Sequence, residues 1–144
     1  LAFHHHMGTY IQNEKEIETL LSKTDPSSVY LCADTGHLYF AGVNPISFFE
    51  KYLHRIKHIH FKDLRLQVLS NINFKSESFL KSVLKGVFTV PGDGGIDFVT
   101  IGKIINDSGY KGWVIVEAEQ DPAVYNPLEY AISSKKYLNK IWSN

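Results

Sequence analysis

Side chains suited to metal binding or acid–base chemistry stand at the ends of four short apolar segments. They come in pairs: His4 with His6, Asp34 with His37, His58 with His60, and Glu117 with Glu119. Residues two apart on a strand point to the same face, so His4 can act together with His6, and His58 with His60. Imidazoles and carboxylates without a thiolate suit a hard or borderline divalent ion such as Mn²⁺, Co²⁺, Mg²⁺ or Zn²⁺. The pattern therefore predicts a site for a divalent cation.

The pair at Asp34 follows the clearest predicted strand of the chain. Residues 29–33 are uncharged and largely apolar, and the run ends in Asp34-Thr-Gly-His37. A short apolar run bounded by turn signals is typical of a strand buried on both faces. Ligands of α/β folds bind at the carboxyl ends of such strands. The alternative interpretation is that Asp34 caps a helix and that His37 is a surface side chain.

The composition is that of an ordinary soluble globular chain. Of its 144 residues 44% are hydrophobic and 21% charged, and 15 basic side chains balance 15 acidic ones. Neither nucleic acid nor a membrane is expected as a partner, because the charge is balanced and no apolar run could span a bilayer. The one cysteine, Cys32, indicates a reducing cytoplasm. The chain begins at Leu1 inside an apolar segment, without a signal peptide, which we interpret as a cut rather than a start.

Strands and helices are predicted to alternate along the chain. Strands are predicted near residues 1–6, 29–34, 57–61 and 113–116, and helices are predicted to begin at Asn13, Asn44, Asp97 and Asn126. Residues 64–86 give a weaker signal, for a polar loop and a short helix, and residues 91–95 form a glycine-rich loop. Such alternation predicts parallel strands with right-handed crossovers. Four strand–helix units amount to half of an eight-stranded barrel, here one domain over residues 1–144.

Five motifs resemble the second half of the xylose-isomerase-like (β/α)8 TIM barrels, a family of sugar isomerases, epimerases and related lyases. They are HHHMGT from His4, DTGH from Asp34, HIHFKD from His58, FTVPGDG from Phe88 and VEAEQDP from Val116. The resemblance covers nearly the whole chain and is greatest to dehydratases that act on keto-inositols. The run of histidines could be the scar of a purification tag, but it continues into a motif and follows Leu-Ala-Phe.

The resemblance implies a divalent metal, Mn²⁺ or Co²⁺ before Mg²⁺ or Zn²⁺, held by one residue from each of four successive strands. Asp34, His60 and Glu117 match three of the family's ligands directly. The epimerases have a glutamate as the remaining ligand. By register His4 occupies that position, and His6 is the alternative.

The resemblance also implies a metal-dependent lyase that removes water from 2-keto-myo-inositol to give a trihydroxycyclohexane-1,2-dione. Elimination of a hydroxyl β to a ketone needs a base at the α-carbon, a sink for the enolate charge and an acid for the departing hydroxyl. The catalytic candidates are Glu117 as base, with Glu119 as the weaker base, and His37 and Lys62 as proton donors or substrate hydrogen-bonders. The substrate-binding candidates are His6, Arg65, Asp93 and Glu119. A surface ion pair is the alternative for Lys62 with Asp63.

Two other activities of the same superfamily remain as alternatives. One is a sister sugar isomerase or epimerase. The other is a metal-dependent abasic-site endonuclease, which shares the Asp-Thr-Gly-His signature. Those nucleases carry basic loops and extra histidines, whereas this chain has no net charge and no histidine after Asp63. The nuclease is therefore the weaker alternative.

A half barrel raises a question of assembly. Its first and last strands would leave unpaired backbone groups along their outer edges. An apolar inward face is expected from residues such as Leu31, Ala33, Ile59 and Ile115, or from their neighbours. We therefore expect a homo-oligomer, at least a dimer that buries an edge strand, or a missing N-terminal half-barrel. An isolated half is expected to be inactive, and a non-catalytic interaction module is the alternative.

Overall fold

Four parallel strands form the central sheet of the computed structural model, which describes residues 1–142. Residues 1–142 contain six strands in all, namely β1 (Ala2–His4), β2 (Tyr30–Asp34), β3 (Ile56–Phe61), β4 (Asp63–Leu64), β5 (Phe88–Thr89) and β6 (Trp113–Val116). The sheet has the order β1-β2-β3-β6, and each neighbouring pair is parallel. The short strands β4 and β5 form a separate antiparallel pair. The predicted α/β fold with parallel strands is confirmed.

In the described part of the chain, seven α-helices connect and follow the strands. They are α1 (Glu14–Ser22), α2 (Thr35–Phe40), α3 (Pro45–Tyr52), α4 (Leu66–Leu69), α5 (Phe79–Leu84), α6 (Phe98–Asp107) and α7 (Pro127–Ile141). The four predicted helix starts are confirmed, because in each the side-chain oxygen of the predicted residue accepts from backbone N–H groups of the first turn. In the part of the chain that the structure describes, no helix combines the length and the apolarity needed to cross a membrane.

The helix α2 begins directly after β2, without a connecting loop. The Oδ1 atom of Asp34 accepts from the backbone N–H of His37 at 2.9 Å and so caps this helix. The alternative interpretation of Asp34 as a helix cap is therefore correct. The matching interpretation of His37 as a surface residue is wrong, because its side chain is fully buried.

The two faces of the sheet carry different kinds of residue. Leu31, Ala33 and Ile59 are fully buried in the apolar core with side chains of the helices. The opposite face carries His60 and, on β6, Ile115, which is 42% exposed. Of the residues expected on the inward face, Leu31, Ala33 and Ile59 instead face the helices, and their neighbours in the strands face the opposite side. Alternation defines two faces of a strand, but it does not say which one the helices cover.

One buried carboxylate binds several backbone groups of the glycine-rich loop. Asp63 Oδ1 accepts from the N–H groups of Leu64 at 2.8 Å and Ile96 at 2.9 Å. Its Oδ2 accepts from Gly92 at 3.2 Å and Gly94 at 3.1 Å. Burial raises the pKa of Asp63, and these hydrogen bonds oppose the rise. The surface ion pair considered for this residue is wrong, since Asp63 is buried and bonded to backbone.

We expect Asp63→Asn to lower the free energy of unfolding by about 2–3 kcal/mol, because an amide nitrogen would then face two N–H donors in a buried position. Asp97→Asn is the matched control, since Asp97 is an exposed helix cap and asparagine caps a helix as well as aspartate does. Urea denaturation of both variants measures the difference. Equal losses in the two variants would contradict the role given to Asp63.

Candidate metal centre

Four polar side chains from four strands meet at the carboxyl end of the sheet. His4 ends β1, Asp34 ends β2, His60 lies on β3, and Glu117 follows β6, and one ligand atom from each lies within 4.8 Å of the others. Asp34 Oδ2 is 3.7 Å from His4 Nε2 and 3.6 Å from His60 Nδ1. His60 Nδ1 is 3.1 Å from Glu117 Oε2. We call these four residues the strand-end group.

The atoms that meet in the strand-end group are buried, and none of them makes a hydrogen bond of good geometry. They are His4 Nε2, Asp34 Oδ2, His60 Nδ1 and Glu117 Oε2. They lie at ion-pair distances from one another and, for the two carboxylate oxygens, from Lys62 Nζ. Buried polar atoms in proteins almost always have a partner. Two imidazole nitrogens and two carboxylate oxygens that converge in this way have the donor types and the spacing that a divalent cation requires.

The strand-end group also attracts positive charge. Burial alone would raise the pKa of Asp34, but His4, His60 and the charge of Lys62 hold it well below its usual range. Contacts with Asp34, Cys32 and Glu117 raise the pKa of His60 to about 11. Without a metal His60 is therefore an imidazolium, and a bound cation would take the place of its proton.

Lys62 provides a second positive charge beside this group. Its side chain is fully buried, and Nζ donates to Glu119 Oε2 at 2.6 Å. The same Nζ lies 3.3 Å from Asp34 Oδ2 and 3.1 Å from Glu117 Oε2. Burial lowers the pKa of Lys62, but the three carboxylates outweigh that effect and raise it. The side chain is therefore an ammonium ion, buried among carboxylates.

A second group of possible ligands lies on the other side of Lys62. It consists of His6, His37 and Glu119, whose ligand atoms also lie within 4.8 Å of one another. Glu119 Oε1 is 3.7 Å from His6 Nε2, and its Oε2 is 3.3 Å from His37 Nε2. Burial lowers the pKa of His37 to about 2, so the ring is neutral. We call these three residues the histidine–glutamate group.

Glu119 has an unusual backbone. Its φ is +48°, and no other non-glycine residue of the described chain has a positive φ. Such a conformation is unfavourable for a residue with a Cβ and is concentrated at functional sites. The conformation is consistent with a requirement for the carboxylate at this place.

Arg65 and Asp93, two of the substrate-binding candidates, lie in a different cluster. Arg65 Nη2 donates to Asp93 Oδ2 at 2.8 Å and to Tyr130 OH at 3.2 Å, and its guanidinium lies 4.5 Å from the ring centre of Tyr125. Both Arg65 and Asp93 also bond to the hydroxyl of Thr89. The structure thus pairs these two candidates with each other and does not bring them into the strand-end group.

Two further residues, which the sequence motifs do not single out, hold Asp34 and Lys62 in place. His5 Nε2 accepts from the backbone N–H of Asp34 at 3.2 Å, and burial lowers the pKa of His5 to about 4, which keeps that nitrogen unprotonated. A Cβ at Gly36 would lie 2.6–2.8 Å from three carbons of the Lys62 side chain. Alternation predicts only that His5 points away from its two neighbours. Nothing in the sequence links Gly36 to the lysine.

His58, the other histidine of β3, belongs to neither group. Its ring centre lies 5.3 Å from that of His60, on the same face of the sheet. Cys32 lies beside the strand-end group, since its Sγ is within 4.8 Å of ligand atoms of both His4 and His60.

Comparisons with known proteins agree with this architecture. Residues 1–141 match the family model described as xylose isomerase-like TIM barrel. The inosose dehydratase of Clostridium botulinum (strain Alaska E43 / Type E3) is 51% identical over 140 residues, which are 97% of this chain and 47% of that protein. The inosose dehydratase of Lacticaseibacillus casei is 54% identical over 139 residues, 96% of this chain and 47% of that protein. The chain thus spans about half the length of the curated relatives it matches.

Solved structures share the fold at low sequence identity. The probable 3-DHS dehydratase AsbF of Bacillus anthracis, involved in petrobactin synthesis, has a TM-score of 0.69 and 16% identity over 96% of this chain and 48% of its own. The IOLI protein, crystallised with a binding zinc atom, also has a TM-score of 0.69, with 18% identity over 99% of this chain and 48% of its own. At such identities the likeness establishes the fold alone.

Proposed function

This chain belongs to the xylose isomerase-like TIM barrel family, and we propose that it supplies the metal centre of an inosose dehydratase. The observation that carries the proposal is the convergence at the strand ends of four buried nitrogen and oxygen atoms that make no hydrogen bond of good geometry. Relatives that are 51% and 54% identical are inosose dehydratases, which supports the choice of reaction. The proposed substrate is 2-keto-myo-inositol, and the proposed product is a trihydroxycyclohexane-1,2-dione.

The metal would be held by the strand-end group: His4, Asp34, His60 and Glu117. The geometry favours His4 over His6 as the ligand from β1, because His6 lies in the histidine–glutamate group. A mixed nitrogen and oxygen donor set suits Mn²⁺ or Co²⁺, and it also accepts Zn²⁺ and, less well, Mg²⁺. When bound, the cation supplies a positive charge that stabilises the negative charge developing on the ketone oxygen.

Glu119 is the base that we propose for the carbon next to the ketone. Lys62 fixes its Oε2, while its Oε1 has His6 Nε2 at 3.7 Å as its polar neighbour. Glu117 remains the second candidate, since its Oε2 belongs to the strand-end group. The carboxyl group that takes the proton would return it to the hydroxyl leaving the adjacent carbon. One C–H and one C–O bond then break, a C=C bond forms and water departs, which leaves the enol of the dione. Transfer of the enol proton to the carbon that lost the hydroxyl then gives the dione.

We assign Lys62 and His37 to positioning rather than to proton donation. The three protons of the Lys62 ammonium face four acceptors, and the side chain is fully buried. His37 Nε2 lies 3.0 Å from Lys62 Nζ. An ammonium ion has no lone pair, so this nitrogen accepts and carries no proton to give. Arg65 and Asp93 remain proposed partners of ring hydroxyls, with the half-exposed Asp93 carboxylate as the acceptor.

The open edges of the sheet are part of the proposal. Within residues 1–142, β1 and β6 each pair with one neighbouring strand, and Trp113 on β6 is 74% exposed. We propose that these edges are covered by an N-terminal half-barrel or by a second copy of the chain. An exposed edge together with an exposed tryptophan is otherwise prone to association.

We expect the intact gene product to convert 2-keto-myo-inositol to the dione only when a divalent ion is present. Chelation should abolish turnover, and Mn²⁺ or Co²⁺ should restore it. Substrate loss and product absorbance measure the reaction, with His54→Ala as a control that changes an exposed histidine outside the site. Interconversion of keto sugars with the inosose untouched would favour the isomerase, and cleavage of abasic DNA would favour the nuclease. Full turnover after complete metal removal would contradict the role of the strand-end group.

A further inference from the structure

The histidine–glutamate group has the composition of a cation site, but a positive charge already lies within it. Its ligand atoms come from His6, His37 and Glu119. Lys62 Nζ is 2.6 Å from Glu119 Oε2 and 3.0 Å from His37 Nε2. The ammonium therefore bonds to two of the three residues through atoms that a metal ion would use.

The hydrogen bonds of the two histidines direct lone pairs toward the same place. His6 Nδ1 lies 2.7 Å from the carbonyl oxygen of Met7, so Nδ1 carries the proton and Nε2 carries a lone pair. His37 Nε2 also carries a lone pair, because it accepts from Lys62. A histidine that binds a metal through one ring nitrogen usually donates the N–H of the other to a carbonyl or carboxylate oxygen. Each member of the group thus presents a lone pair to a cation.

The charges around Lys62 match one divalent ion and no more. Asp34, Glu117 and Glu119 lie within 3.3 Å of its Nζ. The ammonium offsets one of these three negative charges, and the remaining two are those that a single divalent ion in the strand-end group would balance. A second divalent ion beside the ammonium would leave uncompensated positive charge in a buried place, which is costly.

We propose that Lys62 is a built-in second cation, occupying the position between His6, His37 and Glu119 that a metal ion would otherwise take. This arrangement limits the site to one divalent ion and holds Glu119 in its orientation. The inference rests on the proposed function in one respect, namely that the strand-end group binds the first ion.

The test is the number of metal ions bound by a Lys62→Met variant of the intact gene product. Methionine keeps an unbranched side chain against Gly36 and removes the charge. After loading with Co²⁺ or Zn²⁺ and gel filtration, elemental analysis should give one ion per chain for the wild type and two for Lys62→Met. The double variant Lys62→Met/Glu119→Gln should return to one ion, because it lacks a ligand of the new site.

The outcomes separate this inference from the proposed function. No bound ion in the wild type would overturn the metal site itself. One ion in the wild type and one in a folded Lys62→Met variant would overturn only the role of Lys62, and so would two ions in the wild type. Anomalous diffraction from zinc-soaked wild-type crystals tests the same point without any variant. A single peak at the strand-end group is expected, and a second peak between His6, His37 and Glu119 would overturn the inference.

Discussion

Asp34→Asn is expected to abolish stable metal binding while α2 remains folded. Asp34 Oδ1 caps this helix, and an asparagine oxygen caps equally well. Oδ2 is one of the four converging atoms of the strand-end group, and the amide nitrogen that replaces it cannot bind a cation. We expect the affinity for the divalent ion to fall by more than about a hundredfold. Removing a residue that only supports a metal ligand lowers the affinity by up to about a hundredfold, and removing a ligand should cost more. Dehydratase activity should fall with it.

Metal titration by calorimetry measures this effect, and thermal unfolding in the presence of a chelator measures the fold. Asp25→Asn is the matched control, because Asp25 is exposed and lies in a turn outside the site. Asp34→Ala removes the cap as well, so it should cost about a further 1 kcal/mol of stability compared with Asp34→Asn. Wild-type affinity in Asp34→Asn would rule out Asp34 as a ligand.

Gly36→Ala and Gly102→Ala are expected to change stability in opposite directions, although both glycines lie within helices. A Cβ at Gly36 would overlap the Lys62 side chain, as close as 2.6 Å. We expect a loss of about 2–3 kcal/mol, the range for overpacking a buried contact, and weaker metal binding because Lys62 must move. At Gly102 the nearest atoms belong to Trp142 and lie 3.8–3.9 Å away, so alanine fits. There the gain in helix propensity should be about 1 kcal/mol.

Urea denaturation of the metal-free protein gives both changes in free energy, and metal titration of the two variants gives the effect on the site. The pair is informative because helix propensity favours alanine at both positions. Only the contact with Lys62 distinguishes them. A stabilised Gly36→Ala variant would mean that the Lys62 side chain has room to shift and that its position is not fixed by packing.

The order of the main elements could be predicted because each has a local signal. Asn13 with Glu16 forms a capping box, and proline after Asn44 and Asn126 marks the first turn of α3 and α7. The helix α2 could be predicted only as an alternative, because its signal, a single capping aspartate, coincides with the end of a strand. The β4–β5 pair has no local signal, because two-residue strands show no periodicity, and the loop beside them is held by contacts distant in sequence, among them those of the buried Asp63 carboxylate.

Which residues belong to the candidate site was easier to predict than which of them contact one another. Strand ends on one edge of a parallel sheet must lie close together, which is why His60 and Glu117 could be paired from sequence. The division of His4 and His6 between two groups depends on how β1 ends, and the sequence leaves both arrangements open. The central place of Lys62 depends on Gly36, a contact between residues 26 positions apart that no local pattern encodes.

The alternation along β3 makes this strand sensitive to changes of length. Ile59 and Phe61 pack into the core, whereas His60 and then Lys62 serve the site. Inserting or deleting one residue before Ile59 would exchange the two sets, placing imidazole and ammonium among the helices and isoleucine at the site. A two-residue insertion would restore the faces but shift the site by about 7 Å along the strand. Homologous chains should therefore vary in length in the loops on either side of β3, and not within it.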